Sequence, residues 1–143
     1  MNSSFSRRAF LEGAAATVGA VLIAGCGSGA APALKAKENG QGFIIAGAQL
    51  PNAGEAVTFT FPDDKQGILY RSKLGQSGAV SAVCTHLGCN VEWTEGSPQA
   101  AFSCPCHQSQ FDLEGKPLSG PAKKPLAHYA ATQNGKDVEL KLL

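Results

Sequence analysis

Four cysteines and two histidines crowd into the 24 residues from Cys84 to His107. They form two segments, Cys84-Thr85-His86-Leu87-Gly88-Cys89 and Cys104-Pro105-Cys106-His107-Gln108-Ser109. Each holds a Cys-and-His pair and one further Cys. The pair is spaced Cys-x-His in the first and Cys-x-x-His in the second, with 17 residues between His86 and Cys104. Two thiolates and two imidazoles suit a binuclear iron–sulfur centre with sulfur ligands on one iron and nitrogen ligands on the other. A structural zinc site takes the same atoms, but usually from separate Cys-x₂₋₄-Cys and His-x₃₋₅-His runs, and this chain intermixes the two. Two structural disulfides would use all four sulfurs and leave both His spacings without a purpose.

The chain has 143 residues, enough for one domain and an N-terminal appendage. Its net charge of +1, with no basic face in the sequence, argues against nucleic acid as a partner. Five Cys are too few for a scaffold made of disulfides alone, and the clustering of four of them within residues 84–106 points to one local site.

Short strands must position the two segments. Phe43–Leu50 is apolar, with β-branched Ile44 and Ile45. Glu55–Phe61 alternates and places Val57, Phe59 and Phe61 on one side, before the turn residues Pro62-Asp63-Asp64. Gly67–Ser72 and Ala79–Val83 flank a turn at Gly75–Gly78, and Ala79–Val83 runs straight into Cys84. Ala101–Ser103 leads into Cys104. Leu126–Thr132 and Asp137–Leu142 pair across Gln133-Asn134-Gly135-Lys136, where Asn-Gly is a hairpin signal. Strands of this length with frequent turns predict an all-β, antiparallel domain over residues 43–143, with the metal-binding part at about 80–126. Trp93 and Phe102 read as core beneath the two loops, and His128 as a half-exposed structural strand residue.

The two Cys/His segments together resemble those of Rieske [2Fe–2S] proteins. That resemblance implies an antiparallel β-sandwich with a small cluster-binding subdomain. It implies that Cys84 and Cys104 bind one iron, that His86 and His107 bind the other, and that Cys89 and Cys106 form a disulfide joining the loops. Nitrogen in place of two thiolates leaves the cluster less negative, which raises its potential from about −400 mV to between about −150 and +300 mV. Ser109 matches the family serine that hydrogen-bonds a bridging sulfide. Two departures stand out. Phe111 takes the place of a Tyr found in many high-potential members, so the potential is expected below theirs. Gln108 replaces the usual Gly, which carries a cost if the backbone there has positive φ. Gly120-Pro121-Ala122-Lys123-Lys124-Pro125-Leu126 resembles the family's proline-rich loop over the third side of the cluster, with Lys123-Lys124 departing from G-P-A-P-x-x-L.

The function so implied is one-electron transfer, by the iron–sulfur subunit or a free-standing relative of a quinol:cytochrome c or quinol:plastocyanin oxidoreductase. His86 and His107 couple a proton to the electron taken from quinol. The implied partners are a membrane-bound cytochrome b-type subunit and a c-type cytochrome or cupredoxin acceptor. Two other readings stay open: the small Rieske subunit of a periplasmic molybdenum oxidase of the arsenite oxidase type, and a zinc-stabilised, non-redox binding module.

Residues 1–26 read as a targeting segment and residues 27–42 as a flexible Gly/Ala/Pro/Lys linker. Ser6-Arg7-Arg8-Ala9-Phe10-Leu11 resembles the twin-arginine export motif, with Glu12 in place of the usual Lys. Leu22-Ile23-Ala24-Gly25-Cys26 resembles a lipobox, which would make Cys26 a lipid anchor. The alternative is an uncleaved helix over the 22 uncharged residues Gly13–Leu34, although Gly25, Gly27, Gly29 and Pro32 weaken it. Either tethers the domain to the outer face of a membrane; cleavage and release is the third outcome.

Overall fold

The computed structural model describes residues 33–94 and 100–143, and every regular element among them is a β-strand. Seven strands form one closed barrel: β1 (Leu34–Glu38), β2 (Phe43–Ile45), β3 (Ala56–Thr60), β4 (Gln66–Arg71), β5 (Ser77–Ser81), β10 (His128–Asn134) and β11 (Asp137–Leu142). Their order is β1-β2-β11-β10-β5-β4-β3. Closure comes from a parallel pairing of β1 with β3, Leu34 opposite Phe59 and Lys35 opposite Thr60. Four short strands, β6 (Glu92–Trp93), β7 (Phe102–Ser103), β8 (Gln110–Phe111) and β9 (Pro117–Ser119), form a second, antiparallel sheet inserted between β5 and β10. The all-β expectation with a small subdomain holds, and the larger sheet is closed rather than an open sandwich.

Several boundaries differ from the sequence reading, each for a local reason. β1 lies inside residues 27–42, expected to be linker. Its alternation places Leu34 and Ala36 against the barrel core and leaves Lys35 and Lys37 exposed. The lysines and glutamate hid a strand whose inward face is only two residues long. β2 stops at Ile45 because Gly47 turns with φ +69° and donates to Asp137 Oδ1 at 2.8 Å. Val57 shares the face of Phe59 and pairs opposite Leu69, but it is exposed, whereas Phe59 and Phe61 are buried. The last hairpin turns at Gly135-Lys136, with Asn134 opposite Asp137, one residue beyond the expected centre. Gly135 supplies φ +60° at the first central position, as that turn class needs.

The barrel and the small sheet meet across β4 and β5. In β4, Leu69 faces the barrel core while Ile68 and Tyr70 face the subdomain core. β5 divides likewise, with Ala79 on the barrel side and Val80 on the other. Both faces are therefore dry, and Gly67 through Tyr70 are all buried. Tyr70 is the joint. Its ring stacks on Trp93 at 5.5 Å and meets Phe102 edge-on at 5.5 Å. Its hydroxyl donates to Leu113 O at 2.7 Å. Glycine at 78 is required because a Cβ there would lie 2.5 Å from that hydroxyl oxygen.

Candidate metal centre

Both Cys/His segments sit at hairpin tips. The first follows β5 and is closed at its base by a bridge between Val83 and Asn90. The second joins β7 to β8. Their backbones repeat one hydrogen-bond pattern. Cys84 N donates to Cys89 O at 2.8 Å and Gly88 N to Cys84 O at 2.9 Å. In the second loop, Cys104 N donates to Ser109 O at 2.8 Å and Gln108 N to Cys104 O at 2.9 Å. The fifth residue of each loop has positive φ, +80° at Gly88 and +57° at Gln108. The strain expected at Gln108 is present.

A disulfide joins Cys89 to Cys106, with the Cα atoms 6.5 Å apart. Cys84 and Cys104 remain free thiols, both buried in the subdomain core. Burial pushes the Cys84 thiol above its ordinary pKa, and the adjacent Cys104 thiol adds to the rise. The N–H groups of His86 and Leu87 hydrogen-bond the Cys84 sulfur and oppose it. Without a metal, burial favours the neutral thiol. With one, the ligand loses its proton outright and those N–H groups stabilise the resulting negative sulfur.

The rings of His86 and His107 meet edge to face, centroids 4.8 Å apart. His86 Nδ1 is the one buried side-chain nitrogen or oxygen among the described residues that lacks a hydrogen-bond partner. A buried, unpartnered imidazole nitrogen is costly in a purely structural role, and its lone pair suits a metal ligand. The Cys89, Cys104 and Cys106 sulfurs also lie within 4.8 Å of one another. Two of these are bonded to each other and have no thiolate to offer, so that trio is not a ligand set. Cys84, Cys104, His86 and His107 form a donor set that fits a two-sulfur, two-nitrogen binuclear cluster.

A third segment holds both loops. Ala122 N donates to the buried Ser109 Oγ at 3.1 Å, and Thr85 Oγ donates to Lys124 O at 2.6 Å. Gly120, at φ +86°, lies so close that a Cβ would fall 2.6 Å from Ser109 Cα. The Lys123-Lys124 departure does not dislodge this loop. Thr85 and Tyr70 are structural supports that the motif reading passed over. Thr85 sits inside a motif, but its partner 39 residues away leaves no trace in spacing. Phe102 and Phe111 are fully buried beneath the site, and Trp93 is half-buried with Nε1 donating to Gly54 O at 3.2 Å. His128 opens β10, half-buried as expected. Its Nε2 lies 3.1 Å from Tyr70 Oη, whose own proton goes to Leu113 O, so Nε2 is the donor. The twin-arginine segment, the apolar run and Cys26 lie outside the described residues.

Residues 42–130 match the sequence model of the Rieske [2Fe-2S] domain. The chain belongs to the Rieske [2Fe–2S] family. Its cofactor is therefore a Rieske [2Fe–2S] cluster, and the zinc-stapled reading falls. Over 94% of this chain and 74% of the relative, it is 35% identical to a cytochrome b6-f complex iron-sulfur subunit from Chlorobaculum thiosulfatiphilum. A subunit of the same name from Chlorobaculum tepidum is 36% identical over 87% of this chain and 69% of its own. Among solved structures, the cyanobacterial plasma membrane Rieske protein PetC3 from Synechocystis PCC 6803 is 33% identical. That likeness covers 60% of this chain and 85% of that one, with a TM-score of 0.51. The ferredoxin of carbazole 1,9a-dioxygenase from Nocardioides aromaticivorans IC177 shares the fold at 20% identity, with a TM-score of 0.55 over 68% of this chain and 96% of that one.

Proposed function

We propose that this Rieske protein is the iron–sulfur subunit of a membrane-bound quinol oxidoreductase, taking one electron at a time from quinol and passing it to a c-type cytochrome or cupredoxin. The observation that carries the reading is the likeness to b6-f iron-sulfur subunits over most of this chain. The cluster supplies a one-electron acceptor when bound. Cys84 and Cys104 would hold one iron, and His86 and His107 the other. The orphaned Nδ1 of His86 is the nitrogen that would face iron, which turns Nε2 of that ring outward. His107 is exposed beside it. An outward imidazole nitrogen can accept a hydrogen bond from quinol and keep the proton that leaves with the electron.

Ser109 would steady the negative charge added on reduction. Its oxygen already accepts from Ala122 N, which leaves the hydroxyl proton for a cluster sulfide. The Cys89–Cys106 bridge and the Gly120–Leu126 loop would limit water around the cluster and fix the ring orientations. The N-terminal segment fits export in the folded state by the twin-arginine route, with a tether at Cys26 or along Gly13–Leu34, on the outer face of the membrane.

Affinity isolation of the full chain from solubilised host membranes tests the reading. A b-type haem subunit should accompany it, and quinol added to that preparation should bleach the visible bands of the oxidised cluster. A molybdopterin subunit in its place would overturn the proposal in favour of the molybdenum oxidase reading.

A further inference from the structure

Cys104 has more sulfur neighbours than its assigned role uses. Its Sγ is within 4.8 Å of both Cys89 and Cys106 Sγ, which are bonded to each other. Cys84 packs in the same buried cluster as well. Cys104 is thus a free thiol in reach of both disulfide sulfurs. Thiol–disulfide exchange needs a thiolate beside a disulfide sulfur and no outside oxidant. Distance does not protect the Cys89–Cys106 bond here.

We propose that ligation of Cys104 is what fixes the disulfide pairing of this domain, and that removal of the cluster lets Cys104 exchange into the bridge. The step balances within the site. Cys104 thiolate attacks Cys89 Sγ, the Cys89–Cys104 bond forms, the Cys89–Cys106 bond breaks, and Cys106 leaves as the thiolate with the electron pair. Attack on Cys106 Sγ would instead close a bridge across Pro105 alone, where the fixed proline φ leaves little freedom to meet disulfide geometry. Release of Cys106 is favoured because that residue is exposed and Cys104 is buried, so water solvates the departing thiolate.

The new bridge still joins the same two loops. The fold therefore survives while one sulfur donor is withdrawn from iron. Conversely, in the loaded protein Cys84 and Cys104 would be occupied, and of the four site cysteines Cys89 and Cys106 remain to pair on oxidation.

The test compares loaded and chelator-stripped full chain, both carrying Cys26→Ser so that only site sulfurs remain. Both are held anaerobically at about pH 8.5, near the ordinary thiol value. Acid quenching, capping of free thiols with N-ethylmaleimide, reduction and recapping with iodoacetamide precede cleavage at Glu92 and tandem mass spectrometry. The stripped protein should lose maleimide at Cys104 and gain it equally at Cys106 over time, while its near-ultraviolet circular dichroism stays folded. The loaded protein should keep maleimide at Cys84 and Cys104 only, and stripped Cys104→Ser should keep it at Cys84 alone. A stripped protein that stays labelled at Cys84 and Cys104 throughout overturns the proposal. So does migration seen only after unfolding, or the same migration in Cys104→Ser.

Discussion

The two cluster loops share a backbone and differ in nearly everything attached to it. Each is six residues long, begins with a buried Cys and closes with the same two main-chain hydrogen bonds. His is third in the first loop and fourth in the second, which explains why the spacings differ by one. The sixth position is Cys89 in one and Ser109 in the other. The disulfide is accordingly lopsided, running from position six of the first loop to position three of the second. Gly88 makes the positive-φ turn with open space around it, whereas Gln108 makes it with a side chain. A common scaffold thus carries two different Cys/His arrangements, and their chemistry is set by which position carries which side chain.

The largest effect should come from cutting the link between the loops. Cys89→Ala with Cys106→Ala removes a bridge closing a separation of 17 residues and should cost about 3 kcal/mol in denaturant unfolding. Cluster absorbance should also decay faster in that variant. A stability loss confined to one loop, seen as unchanged exchange protection around Cys84, would show that the loops are independent.

The sixth-position difference comes next. Ser109→Ala leaves the Ala122 N–H without its buried acceptor and should cost about 2 kcal/mol. If its hydroxyl favours the reduced cluster by about 1 kcal/mol, the one-electron midpoint should drop by about 40 mV. Thr85→Val cuts the first loop's tie to Lys124, an exposed bond, and should cost less and leave the midpoint in place. Phe111→Tyr, beneath the second loop, should shift the midpoint by a similar amount in the upward direction. Redox titration followed by electron paramagnetic resonance reads all three, and equal shifts from Thr85→Val and Ser109→Ala would erase the distinction.

Exchanging the fifth positions isolates backbone strain. Gln108→Gly should stabilise the domain by about 1 kcal/mol, and Gly88→Ala should destabilise it by about as much, although nothing crowds its Cβ. Thermal unfolding of the two variants against the parent suffices. A destabilised Gln108→Gly would mean that the Gln side chain makes a compensating contact.

The smallest effect lies away from the loops, at the joint between barrel and subdomain. Burial holds His128 below its ordinary value near 6.5, with Glu114 and Asp112 opposing. The fold therefore favours the neutral ring. Its contribution is full above the ordinary value and is lost as pH falls from there toward the folded value. Denaturant midpoints should fall over that acid window, and His128→Gln should flatten this limb. A slope unchanged in the variant would assign it to other groups.

The sequence alone determined the chemistry. Cys84, His86, Cys104 and His107 are legible as a candidate donor set because metal ligation demands particular atom types at short spacing, and strands such as Asp137–Leu142 because alternation is local. The Gln108 strain was readable too, since a Gly requirement belongs to one residue. Tertiary structure decided what depends on distant partners. β1 is a strand because β2 and β3 receive it, and neither its charge-rich sequence nor its two inward residues announce that. Tyr70 matters because the chain folds Trp93, Phe102 and Leu113 onto it. Thr85 and Gly120 matter because the loop at Gly120–Leu126 closes over both tips. Propensity and motif act within a few residues, whereas closure and packing are properties of contacts that exist only once the chain has folded.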